Sequence, residues 1–324
     1  MNEIETINVD EFNKIEIHYW LQDKSHLMDA LVENRCSYEI IGIIRELAKV
    51  YDLDIAIETE ALGEGGIKRW LKIISKSENK KATISTTVIT ALISVILITP
   101  LSKVSEKLID KIFEDTELNE LQKEKLRQEI EQIEIDNSIK LLKNPTIRKK
   151  KSNLYETLEK YPKVEEISFD IQGNNKEFYN KEKFVERKEF KNFILVSDEL
   201  EPIKIENANI EIISPVLKKG KYKWSGYYEG EVVFFTMKST EFKNLVQTGK
   251  IEFKNGSSIN CGLLIKKKVD NEGIIKTSGY EVFRVNYYFE NDKPIETREG
   301  KKYKNKKQDN SRQMDLFSDT KFED

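Results

Sequence analysis

The amino-acid sequence predicts an α+β protein whose segments differ sharply in character. Residues 82–102, ATISTTVITALISVILITPLS, carry no charge in a chain of which 34% is charged. Glu/Lys-rich sequence of helical period follows them, and β-branched and aromatic runs dominate after Pro162. We therefore expect a small α/β domain (1–80), a hydrophobic helix (82–102), a helical arm (103–161), a β-rich domain (162–297) and a disordered tail (298–324).

The overall composition excludes two broad classes of protein. Lys and Arg number 54 against 57 Asp and Glu, so the net charge of -3 rules out a uniformly basic nucleic-acid binder. A hydrophobic fraction of 38% rules out a membrane protein with many spans. Two distant cysteines, Cys36 and Cys261, and an acidic N-terminus without a signal-peptide pattern indicate a cytoplasmic protein with two buried thiols.

The N-terminal segment predicts a strand, a helix and a second strand. Residues 15–21 have strand composition, residues 27–50 have helical period with Ser25 as a plausible N-cap, and residues 53–57 alternate again. The cluster of Ser25, His26 and Asp29 falls within one helical turn, where such groups make capping contacts rather than a catalytic triad. His18, within the first strand, is expected to be a packed side chain.

A glycine-rich loop is the one candidate anion site of this segment. Gly63, Gly65 and Gly66 precede the predicted helix start IKRWLKII, where backbone amides can hold an anion with Lys68 as the first side-chain partner. The spacing matches neither a dinucleotide fingerprint nor a P-loop, so an ordinary turn is the alternative interpretation. A functional loop would imply a nucleotide-dependent enzyme.

The uncharged stretch 82–102 has two interpretations. Its length is that of a membrane span, and the excess of lysines on its N-terminal side would keep the preceding domain in the cytoplasm. The seven Ser and Thr residues between positions 83 and 99 favour instead a helix that is buried in protein or inserts only conditionally. Pro100 is expected to end the helix.

The following arm is expected to be a helical hairpin or a short coiled coil. Residues 103–143 exchange Glu and Lys at helical spacing around an irregular apolar face, which is compatible with homo-oligomerisation. Asn144 and Pro145 close the arm. The basic run Arg148–Lys151 then starts another helix, and we expect it to be solvated, with contact to nucleic acid or lipid headgroups as the alternative.

The strands after Pro162 predict a small barrel or a sandwich. Asn271–Gly273 is a predicted hairpin turn and STEFKNLVQTG (239–249) a predicted short helix. Small barrels bind oligonucleotides by stacking bases on aromatic side chains between lysines, and the alternative is that the aromatics form the core. The candidate nucleic-acid contacts are Lys221, Lys223, Trp224, Tyr227, Lys266 and Lys267.

The tail contains Gln313-Met314-Asp315-Leu316-Phe317, which resembles the peptide motif that binds the bacterial sliding clamp. The resemblance covers five residues and implies nothing about the fold. It implies that Gln313 hydrogen-bonds at the mouth of the clamp groove, that Leu316 and Phe317 fill its apolar pocket, and that Met314 packs beside them.

Together these features predict a non-enzymatic bacterial adaptor, sensor or effector that is recruited to replicating DNA through the sliding clamp, with phage defence as one setting. No cofactor or metal site is expected. A single-pass membrane receptor or membrane-disrupting effector, anchored by residues 82–101, is the first alternative, and a nucleotide-dependent enzyme is the second.

Overall fold

The computed structural model describes residues 14–23, 25, 27–59, 67–75, 86–102, 141–172, 183–290 and 293–318. The chain forms two compact units. Unit 1 comprises the chain up to Asp198 together with Val269–Ile274, and unit 2 comprises Glu199–Lys268 and the chain from Ile275 onward. The α+β prediction is confirmed. The predicted boundaries near 80 and 162 differ from the structure, because strands from both sides of them share one sheet.

Unit 1 is built on a five-stranded antiparallel sheet in the order β2-β3-β1-β4-β5. The central strand alternates strictly, so that Ile15, Ile17 and Tyr19 are buried on the face that joins the hydrophobic core. The strands are β1 (Lys14–Leu21), β2 (Ile55–Thr59), β3 (Ile67–Ser75), β4 (Val164–Gln172) and β5 (Lys183–Glu186).

The helices of unit 1 contribute to the same core. Asp29, rather than Ser25, caps the first helix, because its carboxylate accepts hydrogen bonds from the backbone N–H groups of Leu31 and Val32. Asn144 caps the third helix, with Pro145 at its first position. The helices are α1 (Ala30–Val50), α2 (Thr86–Ile98) and α3 (Pro145–Glu159), followed by a 3-10 helix (Arg187–Phe193).

The hydrophobic stretch forms α2, a helix of 13 residues. None of the helices within the described ranges is long and apolar enough to cross a membrane. The apolar side chains of α2 from Leu92 to Leu97 are buried in the core of unit 1, and Thr90 and Ser94 are buried with them.

The basic run of α3 is buried, which corrects the expectation of a solvated helix start. Lys149 Nζ lies 2.7 Å from Asp198 Oδ1, and Lys151 Nζ donates to the Thr99 carbonyl at 2.8 Å, just beyond the end of α2. Lys149 and Lys151 therefore each have an acceptor inside the fold, whereas Arg148 is half-buried and its Nε has no hydrogen-bond partner within the described residues. The predicted arm from residue 103 to residue 140 lies outside the described residues.

The segment Val269–Ile274 belongs to unit 1 and is held there by three side chains. Thr146 Oγ1 donates to the Gly273 carbonyl at 2.7 Å, and Asn153 Nδ2 donates to the Asn271 carbonyl at 2.9 Å. Tyr38 donates its hydroxyl proton to Glu272. The segment forms the predicted turn, with Gly273 at a positive φ that favours glycine.

Unit 2 is a closed barrel with the connectivity of an oligonucleotide/oligosaccharide-binding (OB) fold. Its strands follow one another around the barrel in the order β6-β7-β8-β10-β9, β9 pairs with both β6 and β10, and β11 extends the sheet from β10. The β8–β10 pair is parallel. The strands are β6 (Glu199–Ser214), β7 (Trp224–Tyr228), β8 (Glu231–Met237), β9 (Ser258–Val269), β10 (Ile275–Glu290) and β11 (Lys293–Glu296).

Two helices complete unit 2. The predicted short helix is α4 (Thr240–Gln247), capped by Ser239 and placed between the third and fourth barrel strands, as in OB barrels. Residues 298–318, expected to be disordered, form α5 (Arg298–Ser318). Glu241 accounts for this difference, because its carboxylate accepts the backbone N–H groups of Arg298 and Glu299.

Candidate nucleic-acid interface

The outer face of β7 and β8 carries a row of exposed apolar side chains. Tyr227 is paired with Val232 across the two strands, and Ser225 is paired with Phe234. The exposed fractions of Tyr227, Val232 and Phe234 are 46%, 51% and 61%. Two aromatic rings and a valine on one solvent-facing surface have no partner in the core, so we call these three residues the platform.

The platform follows directly from strand alternation. Trp224, Gly226 and Tyr228 point into the barrel, whereas Ser225 and Tyr227 point outward. Gly226 is required at its inward position, because a Cβ there would lie 2.6 Å from the Glu211 carbonyl oxygen. In OB barrels this outer face of the second and third strands is the surface that binds oligonucleotides.

The loop between β6 and β7 supplies positive charge to unit 2. Four lysines, Lys218, Lys219, Lys221 and Lys223, are exposed in it beside the exposed ring of Tyr222. This is the loop that accompanies the β7–β8 face in oligonucleotide recognition by OB barrels. Aromatic rings that stack bases and lysines that track phosphates are the combination found in single-strand binding sites.

Acidic residues limit the charge of this surface. Glu211 pairs with Tyr227 on the neighbouring strand, and Glu231 lies opposite Tyr228. Burial and a hydrogen bond with Glu229 raise the pKa of Tyr228 to about 12, so its hydroxyl stays protonated at neutral pH. Positive charge is therefore concentrated at the lysine loop rather than on the strands that carry the platform.

The structure places the six sequence-predicted residues in three different environments. Lys221, Lys223 and Tyr227 are exposed at or beside the platform. Trp224 is only 2% exposed and fills the barrel core against Phe235 and Phe242, so it is not a contact residue. Lys266 pairs with Glu281 at 3.0 Å, and Lys267 donates to Thr277, so both are engaged within the sheet.

Phe234 and Val232 were missed by the sequence prediction. The run EVVFFTM is uniformly apolar, and hydropathy alone does not tell its inward residues from its outward ones. The inward position of Gly226 is the observation from which the outward-facing residues of β8 can be identified. A glycine at an inward position fixes the alternation of β7, and the two-residue turn before β8 transfers that alternation to Val232 and Phe234.

The predicted anion loop lacks the helix on which the prediction rested. Gly63, Gly65 and Gly66 lie outside the described residues, and the segment after them is strand β3. The segment IKRWLKII fits both a helical and a strand pattern. In the structure it is a strand, with Leu71 and Ile73 buried on one face. Lys68 Nζ lies 2.6 Å from Glu16, so its charge is already paired.

The two histidines offer no catalytic group in the described part of the chain. His18 is buried and packs on Trp20, with ring centroids 4.0 Å apart. Burial, and then the nearby Lys68, lower its pKa to about 4, so the ring is neutral at physiological pH. His26 lies outside the described residues. Within these residues, His, Cys, Asp and Glu form no group of three or more that could hold a metal ion.

The clamp-like motif lies near the end of α5. The backbone from Gln313 to Phe317 is helical in the structure. Gln313, Leu316 and Phe317 are spaced i, i+3 and i+4, which places them on one face of that helix. Comparison of the chain with protein-family models, with curated proteins and with solved structures gives no match.

Proposed function

We propose that this protein is a non-enzymatic, cytoplasmic adaptor that binds single-stranded nucleic acid through the platform of unit 2. The observation that carries the proposal is the pair of exposed rings, Tyr227 and Phe234, on the outer face of the second and third strands of a barrel with OB connectivity. Bases in a duplex are already stacked on each other, so a ring that offers a stacking surface selects unpaired bases.

Fluorescence anisotropy with a labelled oligothymidylate tests this function. The Tyr227→Thr, Phe234→Thr double variant keeps strand propensity and removes both rings, and stacking is worth about 1–3 kcal/mol per base. We expect at least a roughly tenfold loss of affinity, since about 1.4 kcal/mol corresponds to a factor of ten. Ile275→Thr, a change at a similarly exposed site on β10, is the matched control and should bind like the wild type.

Equal affinity of the double variant and the wild-type protein would exclude the platform as the binding site. A melting temperature of the double variant close to that of the wild type is needed to exclude loss of fold. Both side chains are exposed, so their removal leaves the barrel core intact.

We also propose that the QMDLF motif recruits the protein to DNA through the sliding clamp. Docking in an extended conformation would require the last turn of α5 to open, and helix ends open at little cost in free energy. The proposal rests on the sequence match of Gln313, Leu316 and Phe317 and on its place near the end of a helix. Antiviral defence at replication sites is a setting compatible with such an adaptor.

A pull-down with purified bacterial clamp tests the recruitment. We expect the wild-type protein to be retained and the Leu316→Ala, Phe317→Ala variant to be lost from the bound fraction. Ser311→Ala, Arg312→Ala changes the same helix outside the motif and serves as the control. Equal retention of all three proteins would show that the motif match is fortuitous.

A further inference from the structure

A second basic surface of unit 2 lies apart from the platform residues. The helix α5 and the outer surface of β6 and β10 enclose a groove of about 620 Å3, which is within the range of small-ligand sites. Five cationic side chains and two carboxylates line it together with two aromatic rings. The lining residues are Lys204, Glu206, Phe283, Arg284, Glu299, Lys302, Tyr303, Lys306 and Lys307.

The aromatic wall of the groove is rigidly built. Arg284 donates to Asn286 Oδ1 and to Glu206 Oε2, each at 2.7 Å, and its guanidinium lies 3.4 Å from the centroid of the Tyr303 ring. Phe283 lies over Gly262, where any Cβ would collide with its ring. The Nε and Nη2 groups of Arg284 donate to Asn286 and Glu206, so these contacts hold the guanidinium in place against the Tyr303 ring.

The lysines of α5 are placed where helix stability does not favour them. Lys302 and Lys306 are an i, i+4 like-charge pair, which destabilises a helix. Neither has a carboxylate partner within the described residues. Their charge is therefore uncompensated by the fold and available to an anion.

The carboxylates of the groove do not neutralise these lysines. Glu206 is shared by Lys204, at 2.6 Å, and Arg284, and the hydrogen bond from Lys204 is the main cause of its lowered pKa. Glu299 accepts a hydrogen bond from the Ser239 hydroxyl at 2.7 Å, which directs its carboxylate toward the barrel. The groove keeps an excess of positive charge next to flat apolar rings.

We propose that this groove binds a nucleotide, with its phosphates on Lys302 and Lys306 and its base against the wall formed by Phe283 and Tyr303. Two sources share this chemistry: a free nucleotide and a nucleotide of a single strand. Either ligand would bridge α5 and the barrel. This site is independent of the platform, so each can exist without the other.

Isothermal titration calorimetry with ATP, with inorganic tripolyphosphate and with a short oligothymidylate tests the proposal on the full chain. The Lys302→Gln, Lys306→Gln variant removes the two uncompensated charges. Lys301→Gln, Lys304→Gln removes the same charge from two exposed positions of the same helix that do not line the groove, and is the matched control.

For ATP or the oligonucleotide we expect the groove variant to lose at least about tenfold in affinity and the control to lose less than about twofold, because only the groove lysines would donate charge-assisted hydrogen bonds to the phosphates. A groove-specific loss for ATP identifies a free nucleotide as the ligand, and one for the oligonucleotide alone identifies the strand. Weaker binding of tripolyphosphate than of ATP supports contact of the base with the aromatic wall.

Equal losses in the groove variant and the control, or no binding of ATP and oligonucleotide by the wild-type protein, would overturn the proposal. The Tyr227→Thr, Phe234→Thr variant separates it from the function of the platform. That variant should bind ATP as the wild type does, whether or not it has lost affinity for the oligonucleotide.

Discussion

Helices α3 and α5 both carry a basic run, and the fold uses the two in opposite ways. Lys149, Lys150 and Lys151 of α3 are at most 8% exposed; Lys149 and Lys151 donate hydrogen bonds inside unit 1, and Lys150 forms an ion pair with Glu39. The lysines of α5 from Lys301 to Lys307 are exposed. A run of positive charge therefore has no fixed meaning, since its role depends on which carboxylates and carbonyl groups the fold places beside it.

The difference arises from how many sides of each helix are packed. Gly42 of α1 makes room for α3, because a Cβ there would lie 2.5 Å from Lys150 Cδ. The side chain of Lys150 crosses α1 at this point and reaches Glu39. In helix α5, Gly300 approaches the Asn286 backbone, whereas Lys301, Lys302 and residues 304–309 are exposed.

The buried pair of Lys150 and Glu39 provides the largest expected effect. Glu39 has no exposed side-chain surface, and its Oε2 lies 3.7 Å from Lys150 Nζ, longer than a hydrogen bond. Burial raises the pKa of Glu39, while Arg35 and Lys150 act in the opposite direction. Arg35 Nη2 lies 2.7 Å from Glu39 Oε1 and stays in place when Lys150 is replaced. Lys150→Met should cost about 1–3 kcal/mol in the free energy of unfolding, measured in urea, because it removes one of the two cations that face this buried carboxylate.

Two variants control this measurement. Lys301→Met on the exposed face of α5 should change the free energy of unfolding by less than about 0.5 kcal/mol. Adding Glu39→Gln to Lys150→Met should recover part of the loss, since an amide costs less to bury than a carboxylate that has kept only one of its two cationic partners. If Lys150→Met and Lys301→Met changed the free energy of unfolding equally, the buried lysine of α3 would contribute no more to stability than the exposed lysine of α5.

The pH dependence of unfolding gives a smaller effect that separates the same two helices. Burial, and then the charge of Arg148, lower the pKa of Lys151 from 10.5 to about 7. Between these values the unfolded chain holds a proton that the folded chain lacks, so this group makes stability rise with pH from about 7 to about 10. Lys151→Met should flatten that rise in chemical denaturation.

Lys301→Met serves again as the comparison for the pH series and should keep the slope of the wild-type protein. A slope that is unchanged in Lys151→Met would mean that other groups produce it. The methionine retains most of the buried volume of the lysine, so the comparison does not depend on a cavity.

The sequence was sufficient for the elements whose signals are local. Ser239 begins α4, and Gly273 marks the turn after β9, because a cap and a positive φ are properties of a few neighbouring residues. The fold class was predicted from the change in sequence pattern after Pro162, where β-branched and aromatic runs replace Glu/Lys-rich segments of helical spacing. Strand β3 was mistaken for a helix because IKRWLKII fits both periods, and only pairing with β1 and β2 decides between them.

The candidate sites depended on information that is not local. Tyr227 was found because it is aromatic and flanked by lysines, whereas Trp224, three residues earlier, has the opposite parity and enters the core. The groove was missed because the tail was expected to be disordered. The spacing i, i+3, i+4, i+7 and i+8 in the tail nevertheless predicts that five residues share one face of a helix. These residues are Glu299, Lys302, Tyr303, Lys306 and Lys307.

The turn that belongs to unit 1 has a consequence for the order in which the chain folds during synthesis. Thr146 and Asn153 each donate a hydrogen bond to a carbonyl group of Val269–Ile274, which leaves the ribosome after β6, β7, β8 and most of β9. Folding from the N-terminus can therefore assemble the sheet of unit 1 early but cannot finish α3. The first unit to begin folding is completed only when much of the second has been made.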